Sequence, residues 1–266
     1  MNRFKHLTPA VIAAYVVIII VLAWALAPGV FTQFSPTQGH SQALLPPSRE
    51  HIFGTDAIGR DLFARVVYGT RHSLAGALIA VAVGLTVGTS IGLIAGTQGG
   101  VIDTLLMRGV DVLLAIPALL LSLSVIIVLG FGTINSAIAV GVTSVAFFSR
   151  LVRTEVQRVA RTDYVEAAYG SGASKLAVLT RHILPNSLTP VLAMAALQFG
   201  NAILQISVLG FLGYGTPPPT PEWGLLIADS RNYIATSWWL TILPGAVIVA
   251  VVLSANQLSS AYRKAL

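Results

Sequence analysis

The chain has 266 residues, 55% hydrophobic and 10% charged, with a mean hydropathy of +0.80. A soluble domain usually carries charge on about a quarter of its residues, so lipid has to solvate much of this exterior. The formal charge of +6 suits headgroups and cytoplasmic loops rather than nucleic acid, and the absence of cysteine removes disulfides, thiolate metal sites and thiol nucleophiles.

A membrane-spanning helix needs roughly 20 mostly apolar residues, and six stretches qualify. The first, Ala10–Ala27, follows Arg3 and Lys5 and ends in Ala25-Leu26-Ala27. That ending is similar to a signal-peptidase site, but the stretch is read as a retained span. A longer polar segment follows. Phe31–Arg49 is rich in Ser, Gln and Pro and reads as an irregular external loop. Asp61–His72 reads as a short interfacial helix.

The second span, Leu74–Gly96, carries Gly76, Ala80, Gly84, Gly88, Gly92 and Gly96, each four residues from the last. On a helix these form one small-residue face, a long extension of the G-x-x-x-G motif, and they predict close packing against another helix. The third span, Val110–Leu129, contains Pro117 and has Asp111 near its start. A charge at mid-bilayer costs roughly 2.5–3.5 kcal/mol, so an i,i+3 ion pair with Arg108 is expected. The fourth span, Ile134–Phe148, is the shortest.

Next comes a polar segment, Arg161–Asn186, reading RTDYVEAAYGSGASKLAVLTRHILPN. Asp163 followed by Glu166 predicts a capped helix start. Gly170 and Gly172 permit a turn. Ser174 is placed to cap a second helix, Lys175–His182, which Pro185 should help to stop. The expected product is a compact helix-turn-helix at the inner membrane face, and an amphipathic interfacial linker is the plainer alternative.

The fifth span, Leu188–Leu212, sets Gln198, Asn201 and Gln205 on one face. Amides facing lipid are costly, so these either bond between helices or line a pathway. Pro217–Pro219 and Pro221 stiffen an extended loop suited to receiving a partner from outside or to acting as a rigid connector. The last span is Trp239–Leu258. The expected division is thus 1–28 as an N-terminal span and 29–72 as external loop and interfacial segment. Residues 73–260 form the transmembrane core, with the cytoplasmic segment at 161–186, and 261–266 form a cytoplasmic tail. With both termini cytoplasmic, every Lys and Arg except Arg49, Arg60, Arg65, Arg71 and Arg231 falls inside, as the positive-inside rule requires.

Glu166-Ala167-Ala168, then Gly172, then Leu184-Pro185 resembles the "EAA" signature of permease subunits of ABC importers. Arg181-His182-Ile183-Leu184-Pro185 is similar to the peptide/nickel branch of that family, within which the chain resembles the C-type permeases of dipeptide and oligopeptide importers. Two further segments agree: Phe53-Gly54-Thr55-Asp56 with Gly59-Arg60-Asp61, Arg65 and Tyr68-Gly69, and Phe211-Leu212-Gly213 through Pro217 to Gly224. Asn256–Ser260 departs, lacking the Gly-Asp pair common there.

The resemblance implies an all-α, polytopic type I ABC importer transmembrane fold with about six membrane helices, in a bacterial inner membrane. Glu166, Ala167, Ala168, Gly172, Leu184 and Pro185 would contact a separate ATP-hydrolysing subunit. The implied partners are a second permease subunit in a heterodimer, two ATPase subunits that bind ATP and Mg, an extracytoplasmic substrate-binding protein, and membrane lipid. Peptides are the implied solutes, with nickel or another small ligand as the alternative. No cofactor or metal is expected in this chain. It lacks a G-x-x-x-x-G-K-[ST] phosphate loop and a G-x-S-x-G elbow, and its five histidines, His6, His40, His51, His72 and His182, lack metal-ligand spacing. A stand-alone ion-coupled carrier would want buried acids or broken helices, of which the sequence shows little. An intramembrane enzyme would want a nucleophile or metal constellation, and none is legible.

Overall fold

The computed structural model describes residues 8–39 and 41–265. The expectations for Arg3, Lys5, His6 and His40, and for the side chains of residues 263–266, lie outside the described residues. In hydrocarbon each unpaired backbone group costs several kcal/mol, which leaves helices as the economical solution.

α1 (Pro9–Leu26) begins with proline at its first position, where no N–H is needed. α2 (Pro28–Phe31) is a single turn. α3 (Leu62–Gln98) has 37 residues, about 55 Å at 1.5 Å per residue. The segment Asp61–His72, expected as a separate interfacial helix, is instead the first part of α3. Asp61 caps it by accepting from the Ala64 N–H at 2.6 Å, and no Gly-Pro break separates it from the apolar run.

The third span is also not the expected straight helix. α4 (Gly100–Ala115) and α5 (Ala118–Leu129) meet at a 97° bend. Pro117 pushes Ile116 into an extended conformation (φ −87°, ψ 129°) and cannot itself donate to a helical ladder. The broken helix that the sequence failed to reveal sits here.

α6 (Thr133–Ala160) continues well past Phe148, and α7 (Asp163–Gly170) follows after a short turn. α8 (Lys175–Val178) passes through a π-helical turn, Leu179–Ile183, into α9 (Leu184–Phe211). Pro185 therefore does not stop the helix. The Leu184 N–H reaches back five residues to Leu179 O, so the ladder is already re-registered where the proline's N–H is missing. α10 (Trp223–Ser230) and α11 (Trp239–Ala265) complete the chain.

α3 and α6 run parallel at very close range. A Cβ on Gly84 would lie 2.5 Å from Ser144 Cβ, on Gly88 2.6 Å from Phe148 Cβ, on Gly92 2.6 Å from Ser149 O and on Gly96 2.8 Å from Val156 Cγ1. Only glycine allows this approach. α6 answers with Gly141, whose own Cβ would lie 2.7 Å from Val83 Cβ. α9 packs on α3, α6 and α11, and α1 lies against α3 and α11.

With α4–α5 counted as one crossing, six crossings alternate between two ends. One end carries α7 and α8. The other carries residues 32–39 and 41–61, the 212–222 loop and α10. At that end Asp56 Oδ2 accepts from Arg60 Nε and Arg65 Nη1, each at 2.6 Å, and His51 pairs with Asp61 at 2.8 Å. Glu222, 1% exposed, accepts from the Thr216 N–H and Oγ1 at 2.8 and 2.9 Å. Trp223 donates its indole N–H to Val66 O at 3.1 Å. The stretch 51–61, after the irregular loop, is thus tied to α3 by buried polar bonds.

Candidate functional site

The segment 161–186 folds as a knuckle joining the ends of α6 and α9. Its underside is apolar. Val165 and Val178 are fully buried and Ile183 nearly so, and they pack with Val156 and Val159 of α6. Residues 165 and 178 therefore fix how α7 and α8 sit, with Ala168, Ala173 and Leu179 packed partly against them.

Thr162, not Asp163, is the N-cap of α7, and no side chain caps the helix start. The Thr162 hydroxyl instead donates backward to Val159 O at 2.7 Å. Asp163 and Glu166 both lie in the first turn, where carboxylates favour the helix dipole. Ser174 does cap α8, accepting from the Ala177 N–H at 3.3 Å.

The turn between the two helices is closed by backbone. The Ala173 N–H donates to Ala168 O at 3.1 Å and the Gly172 N–H to Tyr169 O at 2.9 Å. This paired six-to-one and five-to-two pattern is a Schellman motif, which needs a left-handed residue just past the helix. Gly172 is that residue, with φ +85°. Gly170 stays helical, so of the two glycines only Gly172 is required for its backbone. A Cβ on Gly172 would meet nothing within 4 Å.

Glu166, Ala167 and Gly172 are exposed, Ala168 and Leu184 half-buried, and Pro185 exposed on the first turn of α9. Tyr164, Tyr169 and Leu176 are also exposed, Leu176 by 70%. These three apolar side chains on the outer surface were not singled out by the sequence. Their signal was an apolar residue out of phase with the buried Val165 and Val178.

In the interior, Asn201 Nδ2 donates to Gln198 Oε1 at 2.8 Å. Gln205 Oε1 is buried and accepts from no group. Asn256 of α11 brings a second buried, unpartnered amide oxygen, 3.1 Å from where a Gly200 Cβ would be. Two of the three predicted amides thus satisfy each other, while Gln205 retains a free acceptor.

Asp111 does not pair with Arg108. It bonds Arg150 of α6, and Asp103 takes Arg153 through two bonds of 2.5 and 2.6 Å. The bend at Pro117 lays α4 where both acids reach arginines of a neighbouring helix, a geometry that a straight third span would not allow.

Comparison with known proteins agrees with this architecture. Residues 88–265 match the family described as binding-protein-dependent transport system inner membrane component. The dipeptide transport system permease protein DppC of Alkalihalophilus pseudofirmus is 40% identical over 268 residues, covering 100% of this chain and 88% of that protein. The probable D,D-dipeptide transport system permease protein DdpC of Escherichia coli is 36% identical over 246 residues, covering 92% of this chain and 83% of that one. Among solved structures, the MetNI methionine ABC transporter in an inward-facing conformation is similar with a TM-score of 0.61 at 17% identity, over 76% of this chain and 96% of that chain.

Proposed function

The chain belongs to the family of binding-protein-dependent transport system inner membrane components, and from that premise we propose that it forms half of the translocation pathway of an ATP-driven peptide importer. A second, related permease subunit supplies the other half. Two ATPase subunits hold and hydrolyse ATP with Mg at the knuckle-bearing end, which is cytoplasmic, as are both termini. A soluble binding protein delivers peptide to the loop-bearing end.

The observation that carries this reading is the exposed knuckle. Ala167 and Gly172 form an exposed small-residue patch beside Glu166 on a turn closed by its own backbone, and two long helices lead from it into the membrane. Short side chains allow a partner's groove to approach closely. ATP-driven closure of the partner would push on α7, and Val165 and Val178 would pass the displacement to α6 and α9. Gln205 and Asn256 would then offer acceptors to peptide N–H groups along the pathway.

Purification of the full chain in mild detergent tests this. We expect ATPase subunits and a second permease to co-purify, and their ATP hydrolysis to rise when peptide-loaded binding protein is added. A purified chain that moves dipeptide across vesicles without companions would overturn the reading.

A further inference from the structure

The loop-bearing end contains a cavity of about 400 Å³, within the ~300–1,000 Å³ range of small-molecule sites. Its charged wall is Asp56, Arg60, Arg65 and Asp229, and Leu226 and Leu240 line its apolar side. The charges are unevenly satisfied. Arg60 and Arg65 share one oxygen of Asp56. Arg65 is 1% exposed, yet its Nε and Nη2 donate to no acceptor. Nη2 lies 3.6 Å from Asp229 Oδ2, an ion pair without a hydrogen bond. Arg60 uses only Nε on Asp56. Asp229 stands half-exposed at the opposite charge pole, and burial pushes its carboxyl above the ordinary value against the pull of Arg60.

We propose that this cavity binds a small zwitterion: its carboxylate against Arg60, with Arg65 behind, and its ammonium against Asp229. A guanidinium with free donors is suited to a carboxylate, and a partly desolvated carboxylate without a hydrogen-bonded cation gains from an ammonium. Leu226 and Leu240 accept a small side chain. The choice of a short peptide as the zwitterion rests on the import reading. The site then gives the incoming peptide a stop before the membrane interior.

The test uses the full chain, with its co-purifying subunits, in lipid nanodiscs, and titrates three probes by calorimetry: dialanine, N-acetyl-dialanine and dialanine amide. Dialanine should bind saturably, and blocking either terminus should weaken binding at least about tenfold. Asp229→Asn should weaken dialanine by a similar factor while leaving N-acetyl-dialanine within about twofold, a selectivity that a merely unfolded variant cannot produce. Equal binding of all three probes, no saturable binding of dialanine, or an Asp229→Asn variant indistinguishable from the parent would overturn the site. Uptake of dialanine by cells lacking the chain is measured separately. Unimpaired uptake there removes the import reading, whereas loss of uptake combined with a failed titration removes only the cavity.

Discussion

Replacing Gly172 isolates the backbone of the knuckle from its packing. Gly172 holds φ +85° at the position that closes the Schellman turn. A side chain there would meet no atom within 4 Å, so steric overlap contributes nothing and the whole penalty is conformational. For an L-residue in the left-handed region that penalty is about 1–2 kcal/mol, a factor of roughly 5–30 in the ratio of correctly turned to misturned knuckle. Gly172→Val should therefore insert at normal levels, because no buried contact changes, yet lower peptide uptake per ATP hydrolysed more than twofold and by up to about that factor. Gly172→Asn should retain most of the activity, since asparagine tolerates the left-handed region better than other non-glycine residues. Gly170→Ala should be silent, its backbone being helical. The assay compares labelled dipeptide uptake and ATPase rate at matched membrane levels. Uptake by Gly172→Val within about twofold of the parent, or equal damage from Val and Asn, would refute the reasoning.

Gly88→Leu should destabilise the α3–α6 crossing by about 1–3 kcal/mol through overpacking, because even a Cβ there lies 2.6 Å from Phe148 Cβ and 2.8 Å from Val145 O; thermal unfolding in detergent reads it, with Gly109→Ala, which meets nothing within 4 Å, as the silent comparison. Glu222→Ala should cost about 1.5–3 kcal/mol, since it leaves the part-buried Thr216 N–H without the acceptor that the buried Glu222 provides, and protease nicking between residues 212 and 222 should report the loosened loop. Asp229, its carboxyl raised by burial, should contribute stability at low pH that is lost as pH rises through its folded-state value. Melting of the parent should therefore improve on acidification toward the ordinary carboxylate range, and Asp229→Asn should remove that component of the pH dependence.

Composition and hydropathy were enough to reveal a helical membrane protein, because apolar runs of spanning length have few other fates. The four-residue glycine spacing carried as much, since it can only be a packed face. Where the sequence misled, the cause was tertiary. Pro185 reads as a stop in a lone helix, and only the π-turn before it lets α8 run into α9. Pro117 reads as a tolerated interruption, yet it turns the chain by 97°. Asp111 has Arg108 nearby in sequence but meets Arg150, which a straight-helix reading cannot anticipate. At the knuckle, Gly170 and Gly172 look equivalent in sequence. Only the hydrogen-bond register separates the one that must bend from the one that need not.

The abrupt turn at Pro117 also has a consequence for the surrounding lipid. α5 has 12 residues and so stands about 18 Å tall, against a hydrocarbon thickness of about 30 Å. Acyl chains beside it must shorten, or headgroups must descend toward α4 with its Asp103, Arg108 and Asp111. Such mismatch costs fractions of a kcal/mol per Å, so long-tailed bilayers press on this flank more than short-tailed ones do. Tail length thereby becomes a load on the elbow itself.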